Sequence, residues 1–135
     1  MKMFDVQGIS LQITAQQAYA YISEPINLPN WTSAFASVSS GRAMLQTPNG
    51  AVEIGLQVQA SEAQGVIDWL MTFPDGSVSN AYSRVVSIDS KNCAYTFVLT
   101  PPPVPLEMLE GALAAQALTL AEELQKLKSI LENHA

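Results

Sequence analysis

Asp68, between Ile67 and Trp69, and Arg84, between Ser83 and Val85, stand in the middle of strand-like stretches. A carboxylate and a guanidinium facing one cavity can orient a polar ligand, or act as acid and electrostatic stabiliser. The alternative is that they pair with each other, as buried charges normally do. Truncating Arg84 in a buried pair costs about 3–5 kcal/mol. Tyr82 and Tyr95 offer hydroxyls to a carbonyl or phenol, or serve as large amphipathic rings that fill the core. Asn80 adds an amide near the rim. Trp31, after Leu28-Pro29, closes one end of the space by stacking on a ligand or packing into the core. Other chemistries fail on count. His134, in the tail, is the only histidine and Cys93 the only cysteine. That excludes a Ser/His/Asp arrangement, a transition-metal site and an internal disulfide. There is no Gly-rich phosphate loop, and no cofactor is expected.

These residues need a frame. The chain has 135 residues, 48% of them apolar, enough for one domain over 1–135 with a real core. Its net charge of −6 includes no basic cluster, which argues against nucleic acid and against an anionic membrane surface. The N-terminus lacks the apolar run of a signal peptide, and no stretch approaches 18 apolar residues. With a lone cysteine, a cytoplasmic setting without membrane insertion is expected.

After Pro101-Pro102-Pro103 and Pro105, leucines at 106, 109, 113, 120, 124, 127 and 131 recur at steps of three and four, with Ala117 between. This is one stripe of a helix running from 104 towards 135, roughly 40 Å long. Glu107, Glu110, Gln116, Glu123, Lys126 and Glu132 are expected mainly on its other side. Gly111 within it either admits a close neighbour or is a tolerated small residue. Upstream, Phe4 to Ile13 alternate as a strand with a slip at Gly8. Thr14-Ala15-Gln16-Gln17 has the capping-box form, and a short helix and a further short helix or turn around Leu28 follow.

From Val38 to Thr100 the pattern is a meander of strands. Pro48-Asn49-Gly50 and Pro74-Asp75-Gly76 predict three-residue hairpin loops. The second places Leu70 opposite Asn80, Asp68 opposite Tyr82 and Val66 opposite Arg84. A short loop at Ser61-Glu62-Ala63 then sets Leu56 opposite Asp68, and a turn at Asp89–Asn92 sets Arg84 opposite Phe97. One face, expected to meet the helix, carries Val52, Ile54, Leu56, Val58, Val66, Asp68, Leu70, Tyr82, Arg84, Val86, Tyr95, Phe97 and Leu99. The other carries Glu53, Gln57, Gln59, Ser79, Ser83, Ser87, Thr96 and Thr100. It also carries Ile67, Trp69, Met71 and Phe73, with Ala81, Val85 and Val98, an apolar patch that predicts a homodimer through the outer sheet face. The alternative is that other segments cover the patch, or that the strand is shifted and Trp69 points inward.

The order of elements is that of a helix-grip α+β fold. Ile13-Thr14-Ala15, the segment Ser23 to Trp31, Phe73-Pro74-Asp75-Gly76, Arg84-Val85-Val86 and Leu124 to Lys128 resemble the START-related (SRPBCC) superfamily, which includes polyketide cyclase/dehydratase-like proteins. The resemblance spans about 9–133. It implies an antiparallel sheet of six or seven strands wrapped around a long C-terminal helix, with two short helices after the first strand. It also implies a deep apolar cavity, expected at several hundred Å³. Trp31, Leu56, Asp68, Leu70, Asn80, Tyr82, Arg84, Tyr95, Phe97 and Leu113 are the candidate lining residues. Two functions follow. One is binding of a small, mostly apolar ligand. The other is metal-free cyclase- or dehydratase-like catalysis using Asp68, Arg84 and Tyr82. A third, protein interaction, requires an exposed apolar surface.

Overall fold

Alternating apolar and polar residues, cut by Gly and Asn/Asp turns, make the strands; the unbroken leucine spacing makes the long helix. The structure, a computed structural model, describes residues 3–47, 50–100 and 109–133. The strands are β1 (Asp5–Leu11), β2 (Phe35–Ser39), β3 (Arg42–Thr47), β4 (Gly50–Ser61), β5 (Val66–Thr72), β6 (Val78–Asp89) and β7 (Asn92–Leu99). Helices α1 (Ala15–Ile22) and α2 (Leu28–Trp31) follow β1, and α3 (Leu109–Asn133) closes the chain. All strands form one antiparallel sheet in the order β1-β7-β6-β5-β4-β3-β2. The expected connection at 101–105, the first loop at Pro48-Asn49, and Leu106, Glu107 and His134 lie outside the described residues.

Local chemistry explains the starts and turns. Thr14 caps α1: its Oγ1 accepts from Gln17 N (3.1 Å), and its hydroxyl meets Gln17 Oε1 (3.0 Å). The β5–β6 hairpin closes through Phe73 N to Ser77 O and Gly76 N to Phe73 O, both 2.9 Å. Asp75 Oδ1 accepts from the Ser77 amide and hydroxyl, and Gly76 takes φ 87°. Here the pairing is as the turn chemistry predicts, with Leu70 opposite Asn80, Asp68 opposite Tyr82 and Val66 opposite Arg84.

On either side of that hairpin the register differs from expectation. The β4–β5 turn is longer than Ser61-Glu62-Ala63: Gly65, at φ 70°, completes it, so Ser61 faces Val66 and Leu56 faces Met71. A Cβ at Gly65 would fall 2.1 Å from the Val85 carbonyl oxygen, so only glycine fits. Between β6 and β7 the turn at Asp89–Asn92 forms, but a bulge between Ser87 and Asp89 shifts the ladder by one. Arg84 then faces Thr96, and Phe97 faces Ser83.

Both changes are odd-numbered, and an odd slip exchanges faces. Val66, Asp68, Leu70, Tyr82, Arg84 and Val86 therefore turn outward. Ile67, Trp69, Met71, Ala81, Ser83 and Val85 turn inward, and Ile67, Trp69, Ser83 and Val85 are buried there. Ile54, Leu56, Tyr95 and Phe97 are inward as expected. Charges belong at the solvent side because an unpaired buried charge is costly.

The helix lies along β1 and runs in the same direction. Gln7 Nε2 donates to Ala117 O (2.8 Å), Lys128 Nζ to Ser10 O (2.7 Å) and Gln12 N to Glu132 Oε2 (2.8 Å). Leu120, Leu124, Leu127 and Leu131 of α3 join the main core with Leu11, Ile22, Trp31, Ile67, Trp69 and Tyr95. Gly111 meets no neighbour within 4 Å and is exposed, which fits a tolerated small residue.

Candidate ligand site beneath the long helix

The first half of β6 turns three small residues inward, Ser79, Ala81 and Ser83. Large side chains flank this trough. Trp69 pairs with Ala81 and Met71 with Ser79 on one side, and Phe97 pairs with Ser83 on the other. The aromatic rings form a continuous run. Trp31 meets Tyr95 edge-on at 6.4 Å, Tyr95 meets Phe97 at 6.4 Å, and Phe97 stacks with Trp69 at 6.0 Å and 27°.

The N-terminal part of α3 runs beside β1, on the inner side of the sheet. Gln7 faces Phe97 across β1 and β7, and its bond to Ala117 O sets Gln116 at that level. Gln116 follows Leu113 by three residues and precedes Leu120 by four, so it shares the sheet-facing stripe. It is half-buried, contrary to its expected place on the opposite side. Glu123 is also half-buried: its Oε2 accepts from Ser33 N (2.6 Å) and Ser33 Oγ (3.2 Å) beyond α2. Burial raises its carboxyl pKa despite these bonds. Leu113 is buried, yet among the described residues it stands apart from the main core cluster.

Among the described residues four buried polar side-chain atoms have no hydrogen-bond partner: Trp31 Nε1, Trp69 Nε1, Tyr95 OH and Gln116 Oε1. Buried polar groups are normally paired, so these atoms, two on the inner sheet face, one on α2 and one on α3, call for an explanation. Burial disfavours the ionised form of Tyr95, and Ser83, whose own hydroxyl donates to Ile67 O (2.5 Å), acts in the opposite sense from nearby. Burial pushes the Tyr95 phenol far above its usual range, so it is a neutral hydroxyl at any ordinary pH. No inward position of β4 to β7 carries Asp, Glu, Lys or Arg.

The expected site residues divide accordingly. Trp31, Leu56, Tyr95, Phe97 and Leu113 are buried in the interior. Asp68, Leu70, Asn80, Tyr82 and Arg84 belong to the outer face, which removes Asp68, Arg84 and Tyr82 from any role inside the fold. Asp68 and Arg84 form no ion pair; Arg84 Nε donates to Gln64 O (3.0 Å), and Asp68 Oδ1 accepts from Ser83 N (3.3 Å). The patch expected to make a dimer is likewise turned inward, apart from Val98. Exposed apolar residues on the outer face of the strands include instead Val6, Val78, Tyr82 and Val86.

Two surface grooves also differ from the expected cavity. One of about 450 Å³ runs between α1, the β4–β5 turn and Arg84 to Ser87. The other, about 410 Å³, lies beside Pro25-Ile26, the β2–β3 turn and Leu56 to Val58. Neither is lined by α3. Sequence reasoning placed Ala81, Ser83 and Gln116 away from the interior and held an inward Trp69 only as the alternative. The usable signals were the bulk of Ile67-Trp69-Met71 against its charged alternate set, and the helical spacing of Gln116 from Leu113 and Leu120.

Among the described residues no group of three His, Cys, Asp or Glu side chains could hold a metal ion, and no helix is long and apolar enough to cross a membrane. No protein-family model matches the chain. No curated protein matches it by sequence. Solved structures do match in fold. The protein XoxI from Bacillus cereus superposes with a TM-score of 0.71 at 13% identity, covering 96% of both chains. A START superfamily protein from Mycobacterium smegmatis gives 0.70 at 12% identity, covering 99% of this chain and 100% of the other. The Zhui aromatase/cyclase from Streptomyces sp. R1128 gives 0.64 at 9% identity, covering 97% and 92%. Seven antiparallel strands, short helices after the first strand and a long C-terminal helix, together with these matches, identify the START-like, polyketide cyclase-like helix-grip fold.

Proposed function

We propose that this protein binds a small, mostly apolar molecule beneath the N-terminal half of α3, as a binder or carrier. The observation that supports it is the set of buried polar atoms without a partner, Trp69 Nε1 and Tyr95 OH on the inner sheet face and Gln116 Oε1 on α3. A few convergent polar groups in apolar surroundings are what small-molecule sites use. Binding is favoured over catalysis because the inward positions of β4 to β7 offer no carboxylate, amine or imidazole, and the half-buried carboxylates Asp5 and Glu123 are engaged by Gln7 and Ser33. The protein is placed in the cytoplasm, in keeping with one free, buried cysteine, Cys93.

Native mass spectrometry of the purified protein tests this reading. A co-purified molecule of a few hundred daltons should appear, and Ala81→Phe, which fills the trough, should lose it. A wild type that flies bare and binds no apolar probe in solution overturns the proposal, as does Ala81→Phe retaining the same molecule.

A further inference from the structure

The exchange of faces that buries Trp69 leaves a different apolar strip on the outer side of the sheet. We infer that two copies of this chain associate through that strip about a two-fold axis, Asp68 of each meeting Arg84 of the other. The strip is continuous across three strands. Val6 of β1 faces Val98 of β7, which in turn faces Tyr82 of β6. One row along, Gly8 and Thr96 keep the surface low beside Arg84, and Ala94 with Val86 forms the next row. Val6, Tyr82 and Val86 are exposed. On β5 the outward Val66 and Leu70 stand on either side of Asp68, opposite Arg84 and Asn80. The solvated face of an antiparallel sheet is ordinarily polar. A contiguous apolar strip rimmed by polar side chains, here Ser10, Gln57, Gln59 and Asn80, is the usual mark of an interface.

Charge points to a second copy as the occupant. Away from the hairpin turns, the outward positions of the sheet carry two bases and two acids: Arg42 and Glu53, which pair at 3.2 Å, and Asp68 and Arg84. On a chain of net charge −6 this face is neutral, so two copies repel least when they approach through it. Asp68 faces Tyr82 and Val66 faces Arg84, so the four residues form a rectangle with the two charges on one diagonal. No ion pair spans it: Arg84 Nε is bonded to Gln64 O, and Asp68 Oδ1 to Ser83 N. A partner of uniform charge would meet a like charge at one of the two. A second copy meets none. A two-fold axis lying between the faces, close to the Tyr82–Val66 diagonal, carries each Asp68 over Arg84 of the other copy, as a self-complementary interface requires. Tyr82 then packs near its own equivalent at the centre, where aromatic side chains carry most of an interface's energy.

Sedimentation equilibrium of the full chain near neutral pH, from low to high micromolar concentration, tests the inference. Wild type should show a monomer–dimer equilibrium with a Kd on the order of 10–100 μM, the range of a weak, non-obligate contact, so that dilute denaturant melts report the monomer. Asp68→Arg and Arg84→Asp each set like charges against each other twice across the axis, and each should weaken association by at least about tenfold. Mixed together, the two variants become complementary at both contacts and should form a heterodimer that neither forms alone. The double exchange Asp68→Arg with Arg84→Asp should return association to near the wild-type level. Thermal melts confirm that each variant is folded. Should a reversal fail to fold, Tyr82→Glu, which changes an exposed side chain beside the axis, carries the test by leaving a folded monomer. A wild type that stays monomeric throughout the range overturns the inference. So does a dimer that survives the reversals or Tyr82→Glu, and so does a mixture of folded reversed variants that stays monomeric. None of these results touches the interior ligand site, which native mass spectrometry tests separately.

Discussion

The two halves of α3 meet the same sheet in different ways. The C-terminal half presents Leu120, Leu124, Leu127 and Leu131 to the core and is tied down by Lys128 to Ser10 O and Glu132 to Gln12 N. The N-terminal half carries Leu113, buried but outside the main core cluster, and Gln116, whose Oε1 is unpaired, as is Trp69 Nε1 on the sheet. One half is arranged for stability alone. The other holds interior polar atoms that stability would replace by hydrocarbon, which is the usual mark of a functional site inside a stable frame.

A paired substitution tests that contrast most strongly. Leu127, fully buried, should cost about 2–5 kcal/mol as Leu127→Ala, through lost burial and a residual cavity. Gln116→Leu removes an unpaired buried acceptor, so it should be neutral or stabilise by up to about 1 kcal/mol. Denaturant melts of both variants give the answer. A Gln116→Leu loss comparable to Leu127→Ala would show that the amide is part of the structural core, and the distinction between the halves would disappear.

A smaller effect marks the boundary between them, where Glu123 reaches Ser33. Burial makes the folded carboxyl hold its proton more tightly than the unfolded one. Its contribution to stability is therefore fully present below the ordinary glutamate pKa and is lost as pH rises through the raised folded value. Glu123→Gln stays neutral and keeps an acceptor oxygen for Ser33 N. Melts over a pH series should show wild type falling relative to Glu123→Gln across the range just above the ordinary glutamate value. Parallel curves would mean that the carboxylate is solvated and the helix is not anchored there.

How far the sequence carries the reading depends on which link sets the answer. The leucine spacing, the Thr14 cap and the Pro74-Asp75-Gly76 loop are local signals, and the long helix, α1 and the β5–β6 register followed from them. The face assignment is not local. It depends on Gly65 extending one turn and on a bulge near Ile88 beyond another, and neither is marked by a turn motif as plain as Pro74-Asp75-Gly76. Each one-residue ambiguity inverts a whole strand, so a correct hairpin was joined to its neighbours with the wrong side in. Bulk was the better guide. Ile67-Trp69-Met71 is the set that a core wants, whereas Asp68 and Arg84 are the set that water wants. The hydrogen-bond deficit of Trp69 and Gln116 lay beyond sequence, because it depends on what stands opposite each atom in space.

The smallest expected effect tests this inversion directly. On the outer face Arg84 is exposed and Asp68 half-buried, and no ion pair joins them. Arg84→Ala gives up one exposed bond to Gln64 O, and Asp68→Asn keeps an oxygen that can accept from Ser83 N. Surface changes of this kind lie within about 0.5 kcal/mol. A buried pair would behave otherwise, losing about 3–5 kcal/mol when either partner is removed. The two outcomes differ by more than the error of a denaturant melt, so each variant decides the face on its own. The double variant adds a second criterion: without a direct contact the two effects should add within about 0.3–0.5 kcal/mol. Large, non-additive losses would return Asp68 and Arg84 to the interior, turn Trp69 outward, and undo the trough on which the proposed ligand rests.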